Sequence, residues 1–162
     1  MARRLSLLFA ILMGVVIHSA NLTAQTAEPA VRWLDFPALE LALAEEARPV
    51  LVDFYADWCA ACLRMDKRAY RDPRVVRLLN ERYYAVRMNV ESPDTIVFGG
   101  RMYVNERLGR VNPVHQIPLL LAGRQDKPFS LPAIVLFDDE FTATDRYFQY
   151  LSTDQLLKIL SP

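Results

Sequence analysis

Cys59 and Cys62 are the only two cysteines of the 162-residue chain, and they stand three positions apart. They directly follow Pro49-Val-Leu-Val-Asp-Phe-Tyr55, a β-branched and aromatic run bounded by proline, which predicts a buried strand. After them comes Leu63-Arg-Met-Asp-Lys-Arg-Ala-Tyr70, rich in helix formers and free of Gly and Pro, so a helix is expected over Cys59–Tyr70. At such a junction unsatisfied backbone N–H groups and the positive end of the helix dipole stabilise a thiolate, which can bring the first thiol to a pKa of about 3.5–7.5. A second thiol at i+3 lies on the adjoining helical face, close enough to attack a mixed disulfide formed at the first. The pattern is that of a dithiol–disulfide exchange site, with Cys59 attacking and Cys62 resolving. A structural or metal-binding pair is the other chemistry open to these residues. Zinc takes about four ligands, and past the leader described below His115 is the only other soft candidate.

Taken together, Val50-Leu-Val-Asp-Phe-Tyr-Ala-Asp-Trp-Cys-Ala-Ala-Cys62 resembles the active-site segment of the thioredoxin superfamily. In particular it is similar to exported bacterial thioredoxin-like domains, such as the C-terminal domain of the periplasmic thiol:disulfide interchange reductase. The resemblance covers nearly all of the chain past its leader. It implies an α/β, thioredoxin-like three-layer fold with a central mixed sheet, and it implies roles for further residues. Asp53, six residues before Cys59, falls where the family keeps a buried carboxylate that exchanges a proton with the resolving thiol. Burial in an apolar strand would raise its proton affinity and fit it for acid/base work; an exposed strand-end Asp is the alternative. Arg87, in Val86-Arg-Met-Asn-Val90, falls where many members place a Lys that pairs with that carboxylate. Pro132, in Ser130-Leu-Pro-Ala-Ile-Val135, falls at the cis-proline set opposite the dithiol, which leaves the backbone of Leu131 for an extended substrate to pair with. An ordinary trans turn is the alternative there. Trp58 is read as covering the site and shaping its contact surface, or else as core packing.

The sequence departs from the family pattern in places. Ala60-Ala61 replaces the Gly-Pro of housekeeping thioredoxins and lacks the His of strongly oxidising members, Ala133 stands for the usual Thr after the cis-proline, and Gln149 for a common Gly. These changes bear on redox poise rather than fold. Ala60-Ala61 offers no side-chain donor to a thiolate, and Asp57, two residues before Cys59, would oppose one, so a reductant is expected.

The elements that must hold these residues follow from patterning. Val31–Leu34 is expected as a short edge strand, and Pro37–Ala47 as a helix with Leu39, Leu43 and Ala47 inward. Asp72 with Pro73 marks a helix start, continuing to about Arg82, and Tyr83–Val90 is a second buried strand. Ala133–Phe137 and Thr142–Tyr150 form a hairpin around Asp138-Asp-Glu140. A last helix begins at Ser152, with Gln155 as capping-box partner, and buries Leu156, Leu157 and Leu160. Between Val90 and Pro132 lie 41 residues, more than one crossover helix needs, so a hairpin–helix insertion over about 91–131 is expected. Its hairpin, Thr95–Val104, turns at Gly99-Gly100. Its helix, Val114–Ala122, carries Pro118 near the first turn, and His115 is expected on its surface, with a place near the dithiol as the alternative. Phe98, Gly100 and Tyr103 resemble the FxGxxY segment of a subgroup of exported thioredoxin-like proteins. The insertion either caps the active-site face and selects a partner or shields a sheet edge.

Arg3 and Arg4, an apolar run Leu5–Ile17 and a small, polar stretch ending near Ala24 have the layout of a secretory signal peptide over residues 1–24. The remaining 25–162 is expected to be one exported, periplasmic domain. An uncleaved anchor is the alternative, although a span needs about 20 apolar residues. With 19 Lys and Arg against 19 Asp and Glu, the chain has no basic field to hold nucleic acid. At 52% hydrophobic and 23% charged, with 5 Gly, it is neither disordered nor collagen-like. The expected partners are protein thiols and disulfides and a redox partner protein, with membrane contact only through an uncleaved anchor. No cofactor is expected. Two other functions remain open: a non-catalytic binding module with a stable disulfide, and a carrier of a soft metal ion such as Cu(I).

Overall fold

The computed structural model describes residues 30–161, so the expected signal peptide over residues 1–24 lies outside the described residues. A five-stranded sheet runs in the order β1-β3-β2-β6-β7. Its strands are β1 (Trp33–Leu34), β2 (Val50–Tyr55), β3 (Tyr84–Asn89), β6 (Ala133–Phe137) and β7 (Ala143–Tyr147). β1 and β2 pair parallel to β3, whereas β6 is antiparallel to both β2 and β7, which makes the sheet mixed. β2 is buried along nearly its whole length, as a central strand covered on both faces must be, and this is why its sequence does not alternate.

One face of the sheet packs Val50, Val52 and Phe54 against Phe36 and Leu39 of α1 (Phe36–Glu45) and Ile117 and Ala122 of α4 (Gln116–Ala122). The opposite face packs Leu51, Ile134 and Leu136 against α3 (Pro73–Arg82), α5 (Thr153–Leu160) and Met65 of α2 (Ala60–Lys67). The three layers follow from these two cores.

Side chains set the helix starts. Asp35 accepts from the Ala38 amide at 2.8 Å to open α1, and Asp72 accepts from the Arg74 amide at 2.9 Å, with Pro73 in the first turn, to open α3. Ser152 and Gln155 form a reciprocal capping box at α5. Three helices are shorter than expected, α4 because it starts at Gln116 rather than Val114. α1 ends at Glu45, leaving Ala47 exposed rather than inward, and α2 gives way after Lys67 to a 3-10 turn over Ala69–Arg71. Leu156 and Leu160 of α5 are buried, while Leu157 is only partly so.

Between β3 and β6 the chain forms a hairpin of β4 (Ile96–Phe98) and β5 (Arg101–Tyr103), then α4. Gly99 and Gly100 both take positive φ, 59° and 69°, as a two-residue turn of this hand requires. Phe98 packs edge-on against Phe36 at 5.2 Å, and Glu40 accepts from the Gly99 amide at 3.1 Å, so the hairpin rests on α1. The second of the chain's two histidines is not on the surface of α4. His115 is 0% exposed and caps the helix: its Nδ1 accepts from the Ile117 amide at 3.1 Å, and Nε2 lies 3.1 Å from the Asp94 carbonyl oxygen. With Nδ1 accepting, Nε2 carries the proton, and burial pushes the imidazole below its ordinary 6.5.

Candidate active site

β2 runs out at Tyr55, and the chain turns through exposed Asp57 and Trp58 into α2. Cys59 is the N-cap of that helix, and its Sγ accepts from the Cys62 amide at 3.2 Å. The two sulfurs are joined in a disulfide, with Cα atoms 5.3 Å apart. Exposure barely separates the cysteines, 4% for Cys59 against 2% for Cys62. The cap does separate them. A first-turn N–H aimed at the Cys59 sulfur stabilises negative charge there, and among the described residues no N–H reaches the Cys62 sulfur in the same way.

Asp53 is 2% exposed and sits in mid-strand, paired in register with Arg87 on β3 and Ile134 on β6. Arg87 Nε lies 3.2 Å from Asp53 Oδ2, an ion pair without hydrogen-bond alignment. The same guanidinium donates through Nη2 to Asp66 at 2.7 Å, and it stacks over the Tyr55 ring at 4.2 Å. Asp66 lies on α2 one helical turn beyond Cys62. Sharing one cation between two carboxylates leaves Asp53 incompletely paired. Burial therefore dominates and, opposed by Arg87 and reinforced by Asp66, lifts Asp53 from 3.8 to about 7. The buried Tyr70 hydroxyl, beside Asp53, is itself pushed up, by desolvation first and by the neighbouring carboxylate second.

On the other side of the disulfide, Trp58 is 64% exposed, which excludes the core-packing reading. Its indole Nε1 donates to Glu91 at 2.9 Å, so the ring is tethered although it faces solvent. The Leu131–Pro132 peptide is cis. Leu131 and Trp58 together border a groove of about 260 Å³, which is also lined by Phe129, by Val114 and by Leu119 of α4.

The structure thus packs Leu131 against the core that holds Cys59 and Cys62, sets Trp58 and Leu131 on a groove that neither cysteine lines, and pairs Asp53 with Arg87 beneath α2. Asp66, Tyr70 and Glu91 were not anticipated. Asp66 carries a faint signal, its i+4 spacing from Cys62 on a helix, whereas Tyr70 and Glu91 are brought in only by tertiary packing. Among the described residues, the His, Cys, Asp and Glu side chains close enough to share a metal ion are Asp138, Asp139 and Glu140. They lie at the far end of β6 from Pro132 and include neither cysteine.

A family model described as thioredoxin-like matches residues 32–138. The thiol:disulfide interchange protein DsbD of Vibrio vulnificus is 42% identical over 62 residues, which is 36% of this chain and 10% of that protein. DsbD of Salmonella typhi is 48% identical over 44 residues, 26% of this chain and 8% of that protein. The chain therefore spans about a tenth of the length of these curated relatives. Among solved structures, a thioredoxin from Thermus thermophilus superposes with a TM-score of 0.54 at 27% identity, covering 81% of this chain and 85% of that one. The oxidised C-terminal domain of DsbD from Neisseria meningitidis gives 0.50 at 22% identity, over 76% and 87%.

Proposed function

The chain belongs to the thioredoxin-like family, and from that membership we propose that it is an exported thiol–disulfide oxidoreductase that reduces protein disulfides through Cys59 and Cys62. One observation carries the reading: a disulfide-linked pair at the N-cap of α2, with a buried carboxylate held near neutral pKa in the strand that feeds it.

In the reduced protein the Cys59 thiolate attacks a disulfide of the partner. A Cys59–partner bond forms, the partner's own S–S bond breaks, and its second sulfur leaves as a thiolate that takes up a proton. Cys62 then gives its proton to Asp53 and attacks the Cys59 sulfur. The Cys59–Cys62 bond closes and the partner's first sulfur departs, so two electrons have passed from the dithiol to the partner. A carboxyl near 7 can accept and return that proton at neutral pH, which one at 3.8 would do poorly. Leu131 and Pro132, with Trp58, would receive the partner's backbone beside the sulfurs. Residues 1–24 would direct export, and a redox partner protein would return the electrons.

Reduction of insulin by dithiothreitol should be accelerated by the full chain. No acceleration would leave a non-catalytic module. For direction, equilibration against glutathione buffers should give a midpoint nearer the roughly −270 mV of thioredoxin than the about −120 mV of a strong oxidant. A midpoint above about −180 mV would overturn the reductase while leaving the exchange chemistry intact.

A further inference from the structure

The even balance of charge over the whole chain conceals a segregated one. Residues 64–82, from α2 through the 3-10 turn to the end of α3, hold seven basic side chains against three acidic, whereas the rest of the described residues hold ten against fifteen. Packing turns these cations outward. Met65, Ala69, Val75, Val76 and Leu79 are buried in the core beneath, and Arg64, Lys67, Arg68, Arg71, Arg74 and Arg77, which fall between them, are all exposed. Acids offset few of them. Asp72 pairs with Arg74 at 2.9 Å, whose charge Asp154 of α5 also meets. Asp66 is taken by Arg87, and Glu81 borders a cleft with Arg32, Arg74 and Arg77. Among the described residues, Lys67, Arg68, Arg71 and Arg77 make no ion pair. Arg64 lies over the Tyr150 ring, which leaves its charge in place.

What such a face fits follows from what it lacks. A specific protein interface is centred on buried aromatic or aliphatic anchors, and the only large apolar side chain exposed on α2, the 3-10 turn or α3 is Leu63, at 41%. Adsorption to an anionic bilayer needs no such anchor, because each Lys or Arg near the surface contributes on its own. The path of the chain agrees. Ala30, where the described residues begin, lines the same cleft as Arg32, Arg74 and Arg77, so the apolar run Leu5–Ile17 joins the fold beside this face. We propose that the face seats the domain on an anionic phospholipid surface, with Lys67, Arg68, Arg71 and Arg77 against the lipid phosphates. Seating needs no redox step, so it stands or falls apart from the exchange chemistry.

The full chain would be sedimented with vesicles of phosphatidylcholine alone or with about 30% phosphatidylglycerol, in about 0.1 M salt. An apolar leader contributes to both, so the ratio of the two reports charge. Partitioning should be at least about tenfold stronger on the anionic vesicles and fall toward the neutral value as salt is raised. Lys67→Gln, Arg68→Gln and Arg77→Gln combined should weaken binding to the anionic vesicles by about fivefold per cation removed. Arg101→Gln, Arg110→Gln and Lys127→Gln combined remove as many exposed cations from the stretch between β3 and β6, and should change that binding by no more than about twofold. Equal partitioning on the two vesicle types, or equal losses in the two triple variants, would overturn the proposal. Retention on immobilised poly-Glu that the first variant loses, without vesicle binding, would overturn it in favour of an acidic protein partner.

Discussion

Beneath α2, Asp53, Arg87, Asp66 and Tyr70 crowd four polar groups into a space largely withdrawn from water. Around the groove, Trp58, Leu131 and Leu119 present apolar surface to solvent. Each region inverts the usual placement of its residue types. The underside carries the desolvation cost of a buried carboxylate, and the rim leaves apolar area uncovered. On the function proposed above, the difference teaches how the fold would divide its work: chemistry tuned from inside the sheet, and recognition arranged on segments outside it.

The sulfurs join both regions, and changing them has the largest expected effect. Cys59→Ser should abolish exchange, whereas Cys62→Ser should still attack and then accumulate mixed disulfides, visible on non-reducing gels. Equal loss with no trapped partner in the Cys62 variant would contradict the assigned order.

The underside comes next. Asp53 is raised in the folded protein, so the fold binds a proton that the unfolded chain releases at lower pH. Its unfavourable contribution is absent below 3.8, grows as pH rises, and is complete above about 7. Asp53→Asn should therefore stabilise the oxidised protein at pH 8.5 by up to about 4 kcal/mol, at about 1.4 kcal/mol per pH unit. It should do so little at pH 4, and it should slow release of mixed disulfides near neutrality. Urea unfolding at the two pH values checks this, and equal stabilisation at both would mean that burial of the charge is not the cause.

The rim should behave oppositely. Because Trp58 is exposed and tied by one hydrogen bond, Trp58→Ala should cost about 1 kcal/mol or less of stability, yet it should slow reduction of a protein disulfide more than of hydroxyethyl disulfide. A large loss of stability would make Trp58 structural.

Much of this was legible from local chemistry. Asp72-Pro73 and Ser152 with Gln155 are written into their own turns, and both helices start there. Gly99-Gly100 likewise specified its hairpin. The WCAAC segment placed the cysteines because a strand and a helix flank it closely. What stayed hidden depends on distant segments meeting. Arg87 reaches Asp66 only because β3 lies beneath α2. His115 looked like a helix-surface residue, since nothing nearby in sequence shows that Asp94 supplies a carbonyl to its ring. Ala47 continued an apolar spacing that the helix itself did not follow past Glu45.

The most direct test of the account is the order in which the two thiols react. The fully reduced chain would be treated at neutral pH with limiting iodoacetamide and the labelled peptides quantified by mass spectrometry. Labelling should fall on Cys59 first, and its rate should follow a thiolate titrating well below the ordinary thiol value of about 8.5. Faster labelling of Cys62, or equal rates rising only above that value, would contradict a helix-capped nucleophile at Cys59.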